Sequence, residues 1–463
     1  MQPATGPVSA APALPADDPQ RAELHNEVHA RPPARIRLPA LVLSVALLND
    51  GVDRATECAH LQRLPGHEGL QPAALAGNFL RLRLGPGLGS LKYERHTEFT
   101  RYVLVQPLPE GVALGDSEPA LLQQLHLPEG WLAGLPGRPM AALVLSLLPA
   151  DLGQGAACMA QGRRWFGGRP VVASMVGNPG PRPTGGADST GPAGHSLVLT
   201  DFELRPDGFE HLLLLAPPDT SESRAGRTAQ RLLELEIYRL MALRGLPVAK
   251  ALGPVLADSE AALADVTARL EARQASEAEL LDQLIQVAAR VERATAEHSY
   301  RFSATRAYDA LVRQRLAELR EKPVPGTQTL GDFMQRRLSP AIATVASTEQ
   351  RLAALAQRIE RTSALLRTRV DISTEAQNQQ LLARLTQGQQ LQLNLQTTVE
   401  GLSIAAISYY VISLALYAAK GLKAAGVPLH PEVAAGALVP LVLWGVWRTT
   451  RRIHARLMHP EQR

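Results

Sequence analysis

Hydrophobic spacing changes character twice along the chain, and each change marks a boundary. From Ile36 to Leu48 the residues are almost continuously apolar, the pattern of a buried strand. Asp50-Gly51 is a turn signal, and Asp53 to Leu64 follows with helical spacing. Phe79 to Leu84 (FLRLRL) alternates with period two until Gly85-Pro86-Gly87 breaks it. Leu91 to Gln106 predicts a second long strand, Glu118 to Leu135 a helix, and Met140 to Leu148 another buried strand. That order resembles the ferredoxin-like split pattern. Arg164 to Val176 and Ser196 to Leu204 predict two more strands, separated by the Gly/Pro-rich loop Gly177 to Gly194. Arg205-Pro206-Asp207-Gly208 is a tight turn, and Phe209 to Ala216 closes a β-hairpin.

After Pro218 the period becomes 3.6. Arg227 to Arg244 predicts a helix ended by Gly245, a second helix runs from Pro254 to about Leu319, and KPVPG (322–326) breaks it. Phe333 to Leu338 is a short helix. Ser339-Pro340 then gives an N-cap with proline at the first helical position. No proline recurs until Pro428, and Leu352, Leu355, Ile359, Thr362 and Leu366 keep the three-four spacing of a coiled-coil seam. A helix from Pro340 to Glu400 would extend ~90 Å and needs partners, from the Pro254–Leu319 helix or from other copies of the chain.

The second change comes at Gly401. Residues 401–419 (GLSIAAISYYVISLALYAA) carry no formal charge, which suits a spanning helix. Lys420 and Lys423 end it. Val433 to Trp447 is a second uncharged stretch, with Trp444 and Trp447 placed as an interfacial belt and Arg448, Arg451, Arg452 and Arg456 behind them. A helical hairpin buried inside a soluble protein is the alternative. The positive-inside rule puts both termini in the cytoplasm and predicts two spans in an inner (cytoplasmic) membrane. The Ala/Pro-rich start has neither the basic n-region nor the apolar core of a signal peptide, in keeping with a cytoplasmic body.

The expected fold class is therefore an α+β body (ferredoxin-like split pattern plus β-hairpin), a long α-helical stalk and two C-terminal transmembrane helices. The boundaries fall at 1–19 (disordered tail), 20–218 (α+β), 219–338 (helical), 339–400 (stalk), 401–447 (hairpin of spans) and 448–463 (basic tail).

Composition narrows function. Of 463 residues 45% are hydrophobic and 20% charged, which suits a soluble body with a modest membrane part. The net charge is only +4 and no basic stripe is interleaved with aromatics, so nucleic acid is not an expected partner; the lipid bilayer and further copies of the chain are. Cys58 and Cys158 stand far apart and offer neither a disulfide framework nor a metal-binding spacing. No GxSxG elbow, Walker A loop or Rossmann fingerprint occurs, which argues against an ordinary hydrolase, nucleotidase or dehydrogenase.

Two motifs could carry chemistry. In HNEVHARPP, a short helix over Arg21 to Ala30 would put His25 and His29 on one face, with Asn26, Glu27 and Arg31 beside them and Pro32-Pro33 as the stop. The pair could hold a divalent metal ion, or the motif could be a polar cap and proline turn. In KYERHTEF, a strand would point Glu94, His96 and Glu98 to one face and Arg95, Thr97 and Arg101 to the other. Two carboxylates beside an imidazole could bind metal or hold a tuned proton, or form a solvated edge. Should the motifs meet, His25, His29, Glu94, His96 and Glu98 would form one cluster, with His25, His29 and His96 as the candidate metal ligands. Glu234 and Glu236 would pair with Arg367 and Arg369 of the stalk. Eight glutamines from Gln377 to Gln396, and Glu400 at the membrane entrance, complete the polar features.

HNEVHARPP resembles the hallmark of a bacterial family of predicted membrane-anchored proteins, the domain-of-unknown-function family 3422. KYERHTEFTRY (92–102), TDFELRPDGFEH (200–211), AGRTAQRLLELEIYRLMAL (225–243), LLRTRVD (365–371), EAQNQQLL (375–382) and LQTTVEGLSIAAISYY (395–410) resemble its other blocks, in order, with Ile237 where a Thr is expected. The resemblance implies membrane anchorage and no established activity. The architecture is also similar to CorA-type divalent-cation channels. Lys420-Gly421-Leu422-Lys423 stands where those carry Gly-Met-Asn, and two lysines there would repel Mg²⁺. An oligomeric scaffold, a CorA-like ion-conducting oligomer and a membrane-tethered metal-dependent enzyme are the three functional expectations.

Overall fold

The computed structural model describes residues 18–21, 32–178, 195–425, 428 and 430–457. The chain divides into two compact units: Met1–Gln274 with Asp282–Glu360, and Ala275–Leu281 with Arg361–Arg463. The boundary expected at residue 218 lies inside the first unit.

A nine-stranded sheet is the frame of the first unit. Its strands are β1 (Ala40–Leu48), β2 (Phe79–Gly85), β3 (Gly89–Arg95), β4 (Phe99–Pro107), β5 (Arg138–Pro149), β6 (Val172–Val176), β7 (Ser196–Leu204), β8 (Glu210–Ala216) and the short β9 (Lys322–Pro323). The order is β2-β3-β4-β1-β5-β8-β7-β6-β9. β1 is buried at every position because it lies mid-sheet with both faces covered, which its unbroken apolar run requires. Each half of the sheet sends its first strand to the centre and returns its last strand beside it. Pairing is antiparallel apart from β5 with β8. A ferredoxin-like split βαβ would set parallel strands in the first half; here β1 lies antiparallel between β4 and β5.

Three expectations in this region change. Leu91–Gln106 is two strands joined by a turn at His96–Glu98. Pro119 and Pro128 interrupt Glu118–Leu135, which forms only a short 3-10 turn, Leu121–Gln124. Arg164 belongs to a helix, α2 (Gly155–Trp165), and the strand starts later, at Val172.

Helices cover both faces. α1 (Arg54–Leu61, capped by Asp53) and α2 pack on one, where Trp131, Trp165 and the two free cysteines are buried. The other carries α3 (Glu222–Leu243), the end of α5 (Glu277–Leu319), α6 (Leu330–Arg337) and the start of α7 (Ser339–Ala424). α4 (Gly245–Ala272) begins as soon as α3 ends and carries Pro254 within it rather than at its start. Its C-cap is Arg273 in the left-handed region, so the helix expected to run to Leu319 is really two. α7 starts at Ser339 as expected. Its Leu352, Leu355 and Ile359 are buried, and ion pairs tie it to α4 (Arg351–Glu260, 2.9 Å) and α5 (Glu349–Arg306).

In the second unit Thr362 and Leu366 continue the buried seam of α7, and Arg369 and Ser373 engage Glu277. Beyond them α7 is exposed through residue 399. α8 (Pro431–Leu457) follows a short connection. Ser408 of α7 and, on α8, Ala435 and the first residue Pro431 are buried; Ser408 and Ala435 each lie on a face with half-buried neighbours one turn away, Ile404 and Ile412 on α7, Val439 on α8. The motif HNEVHAR (25–31) lies outside the described residues.

Candidate functional site

KYERHTEF forms the end of β3, a turn and the start of β4. The hairpin register pairs Glu94 with Arg101 and Arg95 with Thr100, so Glu94 and Arg101 share a face. Treating the segment as one strand separates them; the turn reverses the count. The turn is closed by His96 N–H donating to the Phe99 carbonyl (2.8 Å) and is held by Asn49, whose side chain donates to the His96 carbonyl (3.0 Å).

Its side chains go to four different places. On the α1 side, fully buried Glu57 accepts from the Tyr93 hydroxyl (2.6 Å) and the Thr100 hydroxyl (2.6 Å) and pairs with Arg95 (2.6 Å). On the α3 side, Glu94 joins Arg101 and Lys92 (3.2 Å); Arg101 also reaches Glu234 (3.4 Å), which Arg315 of α5 holds at 2.5 Å. Burial alone would raise the Glu94 pKa, but the charges of Arg101 and Lys92 outweigh it and hold the carboxyl at about 2. Burial, with Arg101 next to it, pushes the Lys92 ammonium down to about 8. Glu98 receives both forks of Arg301 (2.6 and 3.1 Å) and a contact from Arg244 (3.4 Å). His96 stacks on Phe99, ring centroids 4.4 Å apart.

The expected Glu94, His96 and Glu98 constellation is thus dispersed: arginines take both carboxylates. Among the described residues no three His, Cys, Asp or Glu side chains converge as metal ligands. Glu234 pairs with Arg101 and Arg315, and Glu236 with Arg239 (2.7 Å), whereas Arg369 pairs with Glu277. Glu234 is thus taken by arginines of β4 and α5, and Glu236 by Arg239 of its own helix.

Where β3 turns into β4 the surface opens into a cavity of about 440 Å³. It is lined by the polar Arg54, Asn78, Arg95, His96 and Thr97 and by Phe99, Tyr238, Tyr308 and Leu311. Of these, sequence reasoning singled out only His96. Glu57, which orients Arg95, had a readable signal: an acid on the same face of α1 as Leu61, four residues on, faces inward.

Two further polar clusters lie at β8. Arg239 binds both Glu236 and Glu210 (2.9 Å). Burial and the neighbouring Glu236 push the Glu210 carboxyl up to about 8. On the opposite face His211 sits between Glu118 (2.7 Å) and Asp207 (2.9 Å); burial would lower its pKa, but these carboxylates raise it above the usual histidine value.

A protein-family model matches residues 16–457, nearly the whole chain. The chain belongs to the family of unknown function DUF3422. No curated protein matches it, and no solved structure does. Among the described residues, this DUF3422 member has three helical stretches long and apolar enough to cross a membrane: Glu222–Ala272, Leu330–Ala424 and Pro431–Arg452. The first includes α3, whose apolar face packs on the sheet. Apolar surface in the other two is largely exposed, including Tyr409, Tyr410, Leu414 and Tyr417 on α7 and Leu441, Trp444 and Trp447 on α8.

Proposed function

We propose that this protein is anchored in a membrane by the end of α7 and by α8, holds its α+β unit on the cytoplasmic side, and assembles with further copies of itself through α7. One observation carries the anchoring: an uncharged run, Gly401 to Ala419, leaves its large apolar side chains uncovered. Each would gain about 1.5–3 kcal/mol from leaving water, and a bilayer supplies that along the full length of a span. Basic side chains sit over aromatic rings at the ends, Lys420 on Tyr417, Arg448 on Trp444 (5.0 Å) and Arg451 on Trp447 (4.9 Å), the pairing that suits a headgroup zone. Small residues on the less exposed faces, Ser408 and Ala435 among them, suit close packing of two spans.

Self-assembly rests on the stretch before the span. Leu381, Leu385, Gly388, Gln392, Leu395, Val399 and Leu402 repeat at alternating four and three residues, and all are exposed. Copies anchored in one bilayer enter it at the same depth and so present the same residue at the same height, which favours a parallel, in-register partner. Separating membranes from soluble extract tests the anchor. The full chain should resist alkaline carbonate, and the variant carrying both Ile407→Arg and Leu414→Arg should be released. Recovery of the unaltered chain in the soluble fraction would refute the anchor. A single cysteine placed at Leu395 should cross-link between copies; none at Ala383, on the opposite face of the helix, should.

A further inference from the structure

The cavity at the β3–β4 turn lies within the first unit, and its chemistry does not depend on the membrane reading. Its lining is one-sided in charge. Arg54 and Arg95 are cationic, Asn78, Tyr238 and Tyr308 bring polar hydrogen-bonding groups, and no carboxylate lines it among the described residues. The nearest acids are already engaged. Glu57 lies behind Arg95, fully buried, and holds that guanidinium in place while two hydroxyls fill its other lone pairs. Glu98 answers two arginines at once, which leaves a net positive charge beside the opening. The guanidinium of Arg54 bonds the Asn78 side-chain oxygen (2.8 Å), a neutral partner that an anion would outcompete. Burial, and after it the charge of Glu98 at Tyr308 and of Glu234 at Tyr238, raises the pKa of both phenols, so they stay neutral hydroxyls at physiological pH.

The remaining surface is aromatic and apolar. Phe99 lies between His96 and Tyr308, and Tyr238 packs on Tyr308 with centroids 5.9 Å apart. A volume of about 440 Å³ falls in the range of small-molecule sites. An inorganic ion would leave most of it unfilled.

We propose that this cavity binds a small organic anion, an oxyanion head carried on a planar ring, with Arg54 and Arg95 taking the head and the half-buried rings of His96 and Tyr308, backed by buried Phe99, flanking the ring. The oxyanion is a carboxylate or a phosphate monoester, both of which match the planar fork of arginine. Arg95 is the pre-oriented contact and Arg54 the one that exchanges its amide for the ligand.

Calorimetric titration of the full-length protein in detergent tests this, with benzoate, phenyl phosphate, inorganic phosphate and benzamidinium as probes. At least one ring-bearing anion should bind saturably and bind tighter than inorganic phosphate; the relative affinities of benzoate and phenyl phosphate identify the head. Benzamidinium, the same ring with the opposite charge, should not bind. Arg54→Gln should weaken the tighter anion about tenfold or more. Arg54 is exposed, so this variant should keep the wild-type melting temperature. Leu311→Trp, which fills the cavity without touching a charge, should also abolish binding. Absence of binding by both organic anions, equal binding of benzamidinium or of inorganic phosphate, or unchanged affinity in Arg54→Gln would each overturn the assignment.

Discussion

Replacing Arg101 by Met should destabilise the first unit strongly, and by an amount that depends on pH. Arg101 is almost fully buried on β4 and is the central cation between Glu94 and Glu234. Met fills similar apolar volume, so the cost is electrostatic rather than a packing void. Glu234 keeps Arg315 and the Gln230 amide (2.7 Å). Glu94 keeps only Lys92, whose own charge burial already disfavours. Removing one partner of a buried pair in this way costs about 3–5 kcal/mol. In the wild type the Glu94 pKa is depressed from 4.5 to about 2, so the stabilisation it contributes is present above pH 4.5 and is lost only as pH falls toward 2. Without Arg101 that pKa rises. The variant then carries its full penalty at neutral pH and sheds it as Glu94 takes up a proton, by at most about 1.4 kcal/mol per pH unit.

Guanidinium unfolding of the full chain in detergent, followed by the emission of buried Trp131 and Trp165, measures the difference. The gap between Arg101→Met and wild type should be largest near pH 8 and shrink toward pH 5. The double variant Arg101→Met/Glu94→Leu should recover at least half of it, because Lys92 can release its proton at modest cost. A gap below about 1 kcal/mol at pH 8, or the same gap at pH 5 and pH 8, would show that the network is solvated and the reasoning wrong.

Glu210 should act in the opposite sense. Its folded pKa is raised from 4.5 to about 8, so the stability it contributes is fully present below pH 4.5 and is lost as pH rises through 8; Glu210→Gln should flatten that slope, at most about 1.4 kcal/mol per unit, in melting curves taken between those limits. Gly226→Ala on α3 should destabilise by roughly 1–3 kcal/mol, because its Cβ would lie 1.6 Å from the Ala34 carbonyl, a backbone atom; an unchanged melting temperature would count against that packing. Leu395→Lys together with Val399→Lys should lower the sedimentation coefficient of the detergent-solubilised protein to that of a single copy, with α-helical circular dichroism unchanged.

Much of the architecture is legible where a single local signal decides it. Pro340 stands in the first turn of α7, where its missing N–H is no loss, although Leu338 and not Ser339 occupies the capping position, its carbonyl accepting from Ile342 N–H; β1 reads as central because apolar residues fill both faces. Legibility fails where tertiary contacts substitute for local chemistry. Turn His96–Glu98 has no Gly, Pro or Asn, and Asn49 from another segment holds it. The end of α4 uses Arg273 in a left-handed conformation where glycine is the usual marker. In the site, the types of residue in KYERHTEF were legible as chemistry-bearing, but their partners were not: Glu57, Arg301 and Glu234 come from up to about two hundred residues away, and no periodicity encodes such pairing.

The two acids of α3 show how the sheet is held as one body and why the cavity depends on that. Glu234 and Glu236 are two residues apart and therefore point in different directions from the helix. Glu234 reaches Arg101 in the first half of the sheet, and Glu236, through Arg239, reaches Glu210 in the second. A shift of α3 along its axis would break both at once, so together they fix its position over the central β1–β5 seam. Tyr238 is one turn beyond Glu234 on the same face, and it is a wall of the anion cavity. The Arg101–Glu234 contact therefore positions that wall without touching the ligand. Arg101→Met should weaken binding of the ring-bearing anion even under conditions where the variant is fully folded, whereas Arg239→Met, acting on the other half of the sheet, should weaken it less. Equal effects would mean that α3 moves as a rigid rod and that neither acid alone sets the position of Tyr238.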